Sequence, residues 1–340
     1  MSMLRKRAAI ALAGLLACAA IGVVPAAAEV AELKIAKQFG ISYLPLMLME
    51  ADKLVEKHAR AGGIGDLKVE WTTFGGGSAM NDAILSGSLH LASGGVGPLL
   101  TIWGRTRGSV DVKCVAALST MPIYLTTRNP AVTSLADFTE KDKIALPAIK
   151  VSIQAVTLQM AAEKAFGAGN HGKLDAFTVA MSHPDAQQVL LSGLGEVTGH
   201  FSSPPFQYQQ LKQPGIRRIL NSYEVLGGPA TFNLVFAARK FRDENPKVYA
   251  AFLAAYAEAI QAINADKKGS AGRYLEIAKD RKSSVDDIVA MLTDPEIEFT
   301  MTPKATMKYA EFMHKIGSLK QKPESWKDLC FDNVHGLPGG

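Results

Sequence analysis

The sequence predicts an α/β protein built on mostly parallel sheets. Alternating apolar and polar segments of strand length are followed, again and again, by segments with helical spacing. The connections between them are short and carry glycine, serine and proline at the points where a strand turns into a helix. The composition is that of a packed globular chain, with 48% hydrophobic residues.

The N-terminus sets the compartment. Arg5, Lys6 and Arg7 precede an apolar run from Ala8 to Val24, and Pro25-Ala26-Ala27-Ala28 precedes Glu29. A basic start, an apolar middle and a small-residue end make a secretory signal peptide over residues 1–28. A lipoprotein signal ending at Cys18 is the weaker alternative, because the apolar run continues past it. The leader carries three basic residues and no acid, so the net charge falls from +5 to +2 on its removal. That is too little to argue for nucleic acid. About 310 mature residues are enough for two domains. Cys114 and Cys330 remain, and export permits a disulfide. Their distance in sequence favours a buried strand thiol and an unrelated cysteine near the tail.

The first strand is Leu33 to Lys37. It leads into Gln38-Phe39-Gly40-Ile41-Ser42-Tyr43-Leu44-Pro45 and a helix from Leu46 to about His58. The second strand, Lys68 to Phe74, ends in Gly75-Gly76-Gly77-Ser78. Ser78 stands where an N-cap belongs, ahead of Met80, Ala83 and Ile84 at helical spacing. Glycines let backbone amides approach a ligand, and a helix N-terminus favours negative charge. A third strand, Leu89 to Ala92, meets a second glycine turn, Ser93-Gly94-Gly95-Val96-Gly97-Pro98. His90 reads as an ordinary residue of its polar face. The fourth strand is Val112 to Leu118. This order argues for a parallel α/β sheet.

Ile123 to Thr127 is strand-like and marks a first crossing between domains. The pattern then repeats. Strand Lys143 to Leu146 precedes a turn ending at Ser152 and a helix from Ile153 to Phe166. Strand Ala176 to Met181 precedes Ser182-His183-Pro184-Asp185 and a helix to about Leu191. Strand Val197 to Phe201 precedes Ser202-Ser203-Pro204-Pro205-Phe206 and a helix towards Leu211. A short strand, Ile216 to Leu220, follows. Thr231 to Ala237 is the second crossing. Helices then run from Asn245-Pro246 to about Asn264, from Ser270 to Lys279, from Val285 to Leu292 and from Pro303 to His314. This tail brings no motif and is expected to complete the first domain.

Ser152, Ser182 and Ser203 are each a cap in isolation. Together with two glycine turns at matching positions, they would ring a cleft with polar donors. His183 could donate a hydrogen bond to an acid group of a ligand. Alternation turns His200 away. No nucleophile elbow, phosphate loop, zinc motif or paired catalytic acids stand in the sequence, which lowers the case for an enzyme.

The chain resembles the substrate-binding proteins of ABC importers, in the nitrate/sulfonate/taurine-type group with its thiamine-precursor-binding relatives. The pieces that carry this are Gln38 to Leu46, Phe74 to Ala83, Leu89 to Pro98, Ser182 to Asp185 and Phe201 to Pro205. The resemblance implies a two-lobed periplasmic binding protein type II fold. Each lobe is a mixed, mostly parallel sheet flanked by helices, and two crossover segments join them. It divides the chain into residues 29–122 (lobe 1), 123–230 (lobe 2) and 231–340 (lobe 1 again). It implies a ligand held by Gln38, Tyr43, Gly77, Ser78, Gly95 and Val96 from one side, and by Ser152, Ser182, His183, Ser203 and Phe206 from the other. The expected partner is an inner-membrane ABC permease with its cytoplasmic ATPase, served by a periplasmic monomer with no cofactor and no metal. The expected ligand is a small anion or organic acid. No arginine stands at these turns to clamp one, so a pyrimidine or other heterocycle is an alternative, as are an exported enzyme or a ligand sensor on the same scaffold. The cysteine-rich motif of the group's pyrimidine-forming enzymes is missing.

Overall fold

The computed structural model describes residues 29–340, so the expected leader and the Cys18 alternative lie outside the described residues. The chain builds two five-stranded mixed sheets, each flanked by helices.

The first sheet begins with β1 (Glu32–Lys37), followed by α1 (Leu44–Ala51) and α2 (Leu54–Ala61). The sequence predicts one helix here, from Leu46 to His58. It breaks instead at Lys53, which adopts a left-handed backbone with φ 52°. Next come β2 (Lys68–Thr73), α3 (Gly77–Leu85), β3 (Leu91–Gly95), α4 (Val96–Thr106) and β4 (Val112–Thr120). Strand β3 lies further along the chain than alternation predicts, and Gly94 and Gly95 belong to its paired end. His90 stands just before it. Its Nδ1 accepts from Lys34 N at 3.1 Å, and its ring stacks on Phe241.

The second sheet takes β5 (Tyr124–Thr127), β6 (Lys143–Leu146), α5 (Ile153–Phe166), β7 (Thr178–Ala180), α6 (His183–Ser192), β8 (Val197–Ser202), α7 (Phe206–Leu211), β9 (Arg217–Asn221) and α8 (Ser222–Leu226). The chain then returns to the first sheet through β10 (Thr231–Ala238). It closes with α9 (Arg239–Glu244), α10 (Pro246–Ala265), α11 (Lys267–Ala278), α12 (Val285–Thr293), α13 (Thr306–Lys315) and α14 (Trp326–Leu329).

The strand orders are β2-β1-β3-β10-β4 and β7-β6-β8-β5-β9. β10 runs antiparallel between β3 and β4, so the fourth strand does not lie beside the third, as an all-parallel reading requires. In the second sheet β5 plays the same part, antiparallel to β8 and β9. The sheets are therefore topological counterparts, each with the ends of its parallel strands feeding helix N-termini. In open α/β sheets that is where ligands bind.

The first sheet's core holds Trp103, Phe236, Phe252, Tyr256 and Phe331, all buried. The tail covers the sheet's edge: Phe331 N donates to Cys114 O at 2.9 Å and Asn333 Nδ2 to Val115 O at 2.8 Å. Cys114 and Cys330 are bridged backbone neighbours, both buried and both free thiols. They are thus not unrelated, as their separation in sequence implies. Burial and the neighbouring Cys330 push the Cys114 thiol up.

Candidate functional site

The two sheets meet across a seam made by the predicted turns. Ile41 N donates to Pro204 O at 3.1 Å from one side to the other. Three glycines let the faces come this close. A Cβ on Gly76 would stand 2.4 Å from Pro147 O, one on Gly95 2.7 Å from Ile153, and one on Gly97 2.5 Å from Val151 O. Gly76 is also the N-cap of α3, so the helix begins at Gly77 and Ser78 falls inside its first turn without capping it. The N-termini of α3 and α4 carry no side-chain cap, which leaves their first amides for another acceptor. Ser152 caps α5 by accepting from Ala155 N at 3.2 Å. Ser182 caps α6 and donates to Asp185 Oδ2 at 2.5 Å.

Two cavities lie along this seam. The inner one, about 20 Å³, is lined by Gln38, Tyr43, Gly77, Gly95, Ser152, Gln154, His183 and Asn233 among others. It has room for about one water. Its wall is uncharged: it holds no lysine, arginine, aspartate or glutamate. Burial raises the Tyr43 phenol and lowers the His183 imidazole to about 3, so both are neutral. Gln38 Nε2 donates to Ser93 O at 3.1 Å and Asn233 Nδ2 to Ser42 Oγ at 2.8 Å, which fixes both amides.

The outer cavity measures about 800 Å³ and shares Gln38 and Phe39 with the inner one. That is the size of a small-molecule site. Phe39, Met47, Phe206 and Ile277 make apolar walls, and Gln187, Gln188 and Gln209 add amides. Lys37, Lys279, Arg281 and Lys282 line it against only Glu50 and Asp280. Lys37 Nζ pairs with Glu50 at 2.7 Å. Asp280 accepts from Gln209 Nε2 at 2.9 Å, which ties α7 to the loop after α11.

Of the residues expected to hold a ligand, Gln38, Tyr43, Gly77, Gly95, Ser152 and His183 line the inner cavity, and Gln38 and Phe206 the outer one. Ser78, Val96, Ser182 and Ser203 line neither. Ser203 is nevertheless fully buried, with its Oγ unpartnered, close under Gly40. Sequence reasoning missed Gln154, Asn233 and the loop from Lys279 to Lys282. Asn233, a polar residue in an apolar strand, was the one with a readable signal. Among the described residues no cluster of three or more His, Cys, Asp or Glu is placed to hold a metal ion, and no helix is long and apolar enough to cross a membrane.

Residues 26–278 match the signature of the NMT1-like family. The chain belongs to the NMT1-like family. No curated protein matches it. Among solved structures, this NMT1-like chain is similar to the alkanesulfonate-binding protein SsuA from Xanthomonas axonopodis pv. citri, bound to MOPS, at 19% identity and a TM-score of 0.67, covering 91% of this chain and 98% of that one. It is similar to the periplasmic aliphatic sulphonate binding protein SsuA from Escherichia coli at 18% identity and 0.63, covering 89% and 93%. The periplasmic nitrate-binding protein NrtA from Synechocystis PCC 6803 aligns at 15% identity and 0.63, covering 88% and 84%. Likeness at this identity is likeness of fold, and it places the NMT1-like chain in the periplasmic binding protein fold.

Proposed function

We propose that the protein is the exported solute-binding component of an ABC importer. It captures a small anion or organic acid between two lobes and delivers it to a membrane permease. The observation that carries this reading is the pair of adjoining cavities, which share Gln38 and Phe39 and are walled from both sheets at the C-terminal ends of their strands. Family membership and the sulfonate- and nitrate-binding proteins of the same fold support it. The lobes are taken as residues 29–122 with 231–340, and 123–230. The crossings on either side of Pro122 and Ala230 serve as the hinge.

The site fits capture better than bond chemistry. Its inner wall is a set of neutral donors held by other hydrogen bonds, and uncapped helix N-termini favour negative charge there. The outer cavity adds apolar walls and an excess of cations. A larger organic acid, its body in the outer cavity and one oxygen of its polar head in the inner one, uses both. The apolar outer walls also favour a second reading, a heterocyclic solute.

The test is a thermal-shift panel on the mature protein with nitrate, taurine, alkanesulfonates, carboxylates and pyrimidines. The reading expects at least one class to raise the melting temperature saturably. Catalytic turnover of any of them, or no response to all, contradicts it.

A further inference from the structure

A line of buried polar side chains starts at the inner cavity and runs into the second sheet. Gln154 Nε2 stands 3.3 Å from His183 Nε2. His183 Nδ1 stands 3.0 Å from His200 Nε2. His200 Nδ1 stands 2.7 Å from Gln210 Nε2. At the far end, Gln210 Oε1 accepts from Thr126 Oγ1 at 2.7 Å and from Ser202 Oγ at 3.4 Å. Every member is buried, Gln154 being 3% exposed and His183 6%. No carboxylate touches either ring, and burial holds both imidazoles below their usual range.

Counting protons sets the direction of the line. A neutral imidazole has one N–H and one lone pair. Two such rings in contact share one proton between them. The pair therefore shows an N–H at one outer end and a lone pair at the other. Both outer ends meet an amide nitrogen, so one amide must turn, and amide orientation is assigned from the network. Turning Gln210 would take its oxygen from two hydroxyl donors. Turning Gln154 takes its oxygen from no protein partner, and that oxygen is not sealed in the interior. Gln154 is the end that turns. Its oxygen then accepts from His183 Nε2–H, and its NH₂ group faces the cavity.

We propose that Gln210 and His200 are positioning residues that fix His183 as the Nε2–H tautomer and so make Gln154 a pure hydrogen-bond donor toward the inner cavity. The solute group seated there is an accepting oxygen, of an oxyanion or a carbonyl; an ammonium or amide N–H is rejected. A donor brought to a buried donor leaves both unpaired, which costs more than the missing bond alone. The assignment of the occupant rests on the solute-binding reading, whereas the tautomers belong to the folded chain with or without a solute.

The experiment is long-range ¹H–¹⁵N correlation on the labelled mature protein at pH 7. Wild type is expected to show both His183 and His200 protonated at Nε2 and not at Nδ1. Gln210→Met keeps the volume, removes the amide that sets the direction, and is expected to give mixed tautomers in both rings. A proton on Nδ1 of either ring in wild type, or unchanged tautomers in Gln210→Met, overturns the relay. Methanesulfonate serves as the probe of the occupant. Gln154→Met is expected to weaken its binding about tenfold with the tautomers unchanged, and equal binding overturns the donor role. If methanesulfonate, nitrate and carboxylates all fail to bind wild type, the occupant assignment falls, while the tautomers still decide the relay.

Discussion

Acidification from pH 7 to pH 5 should destabilise this protein before any carboxylate is involved. His183 is held to about 3 by burial, and the same cause lowers His200. The unfolded chain returns both to the ordinary value near 6.5. In the window between, the unfolded state binds more protons than the folded one, so stability rises with pH across it and is lost as pH falls below about 6.5. For His183 alone the loss between pH 7 and pH 5 is about 2 kcal/mol, approaching about 5 kcal/mol at the acid end of the window. His200 adds a loss of the same sign. His90, partly buried near Lys34, adds a smaller one. Carboxylates with depressed values, such as Asp137 at about 2 under hydrogen bonds from Thr133 and Ser134, lose their contribution only at lower pH. The assay is urea unfolding at half-unit pH steps from 7.5 to 5, on wild type and His183→Gln. The wild-type curve should fall steadily below pH 6.5, and the variant's should fall with a shallower slope, whatever its stability at pH 7. A flat wild-type profile, or equal slopes in the two proteins, would refute the claim that buried neutral imidazoles sit under the cleft.

Three further outcomes follow from the packing. Gly76→Ala places a Cβ 2.4 Å from Pro147 O, so the two faces must part; small-angle scattering should show a larger radius of gyration than wild type. Phe252→Ala empties a fully buried site against Tyr256, and should cost about 3–5 kcal/mol in urea unfolding. Cys114 and Cys330 are bridged neighbours, about 4.8 Å apart as adjacent backbones are and inside the span of roughly 4.4–6.8 Å that a disulfide bridges. An oxidant acting on the refolding chain of residues 29–340 should take thiol titration of the denatured product from two groups to none.

Much of the fold is legible in the sequence, because local signals and tertiary needs agree over most elements. Helix α5 runs from Ile153 to Phe166 as its serine cap and periodicity predict. The strand ends are less legible. Gly94 and Gly95 look like a turn and are strand, because β10 arrives from far along the chain to pair with them. The glycine turns mark the seam correctly, but three of their glycines are shaped by the opposite face, which no local pattern contains. Alternation turns His200 away from the ligand turns, and it lines neither cavity; what alternation does not show is that the ring stays buried behind His183, because β8 is almost wholly buried. The loop from Lys279 to Lys282 reads as a polar helix end and becomes cavity wall only through the way α11 docks on α1.

The central claim is that the seam between the two sheets holds a solute. It is tested most directly by native mass spectrometry of the purified mature protein, with the released small molecules identified and returned to the stripped protein in a melting assay. A single acceptor-rich acid that leaves on denaturation and restabilises the protein by about 2.7 kcal/mol at one hundred times its dissociation constant is the predicted result. A protein that carries nothing, and whose melting temperature moves with no sulfonate, nitrate, carboxylate or pyrimidine, would contradict it.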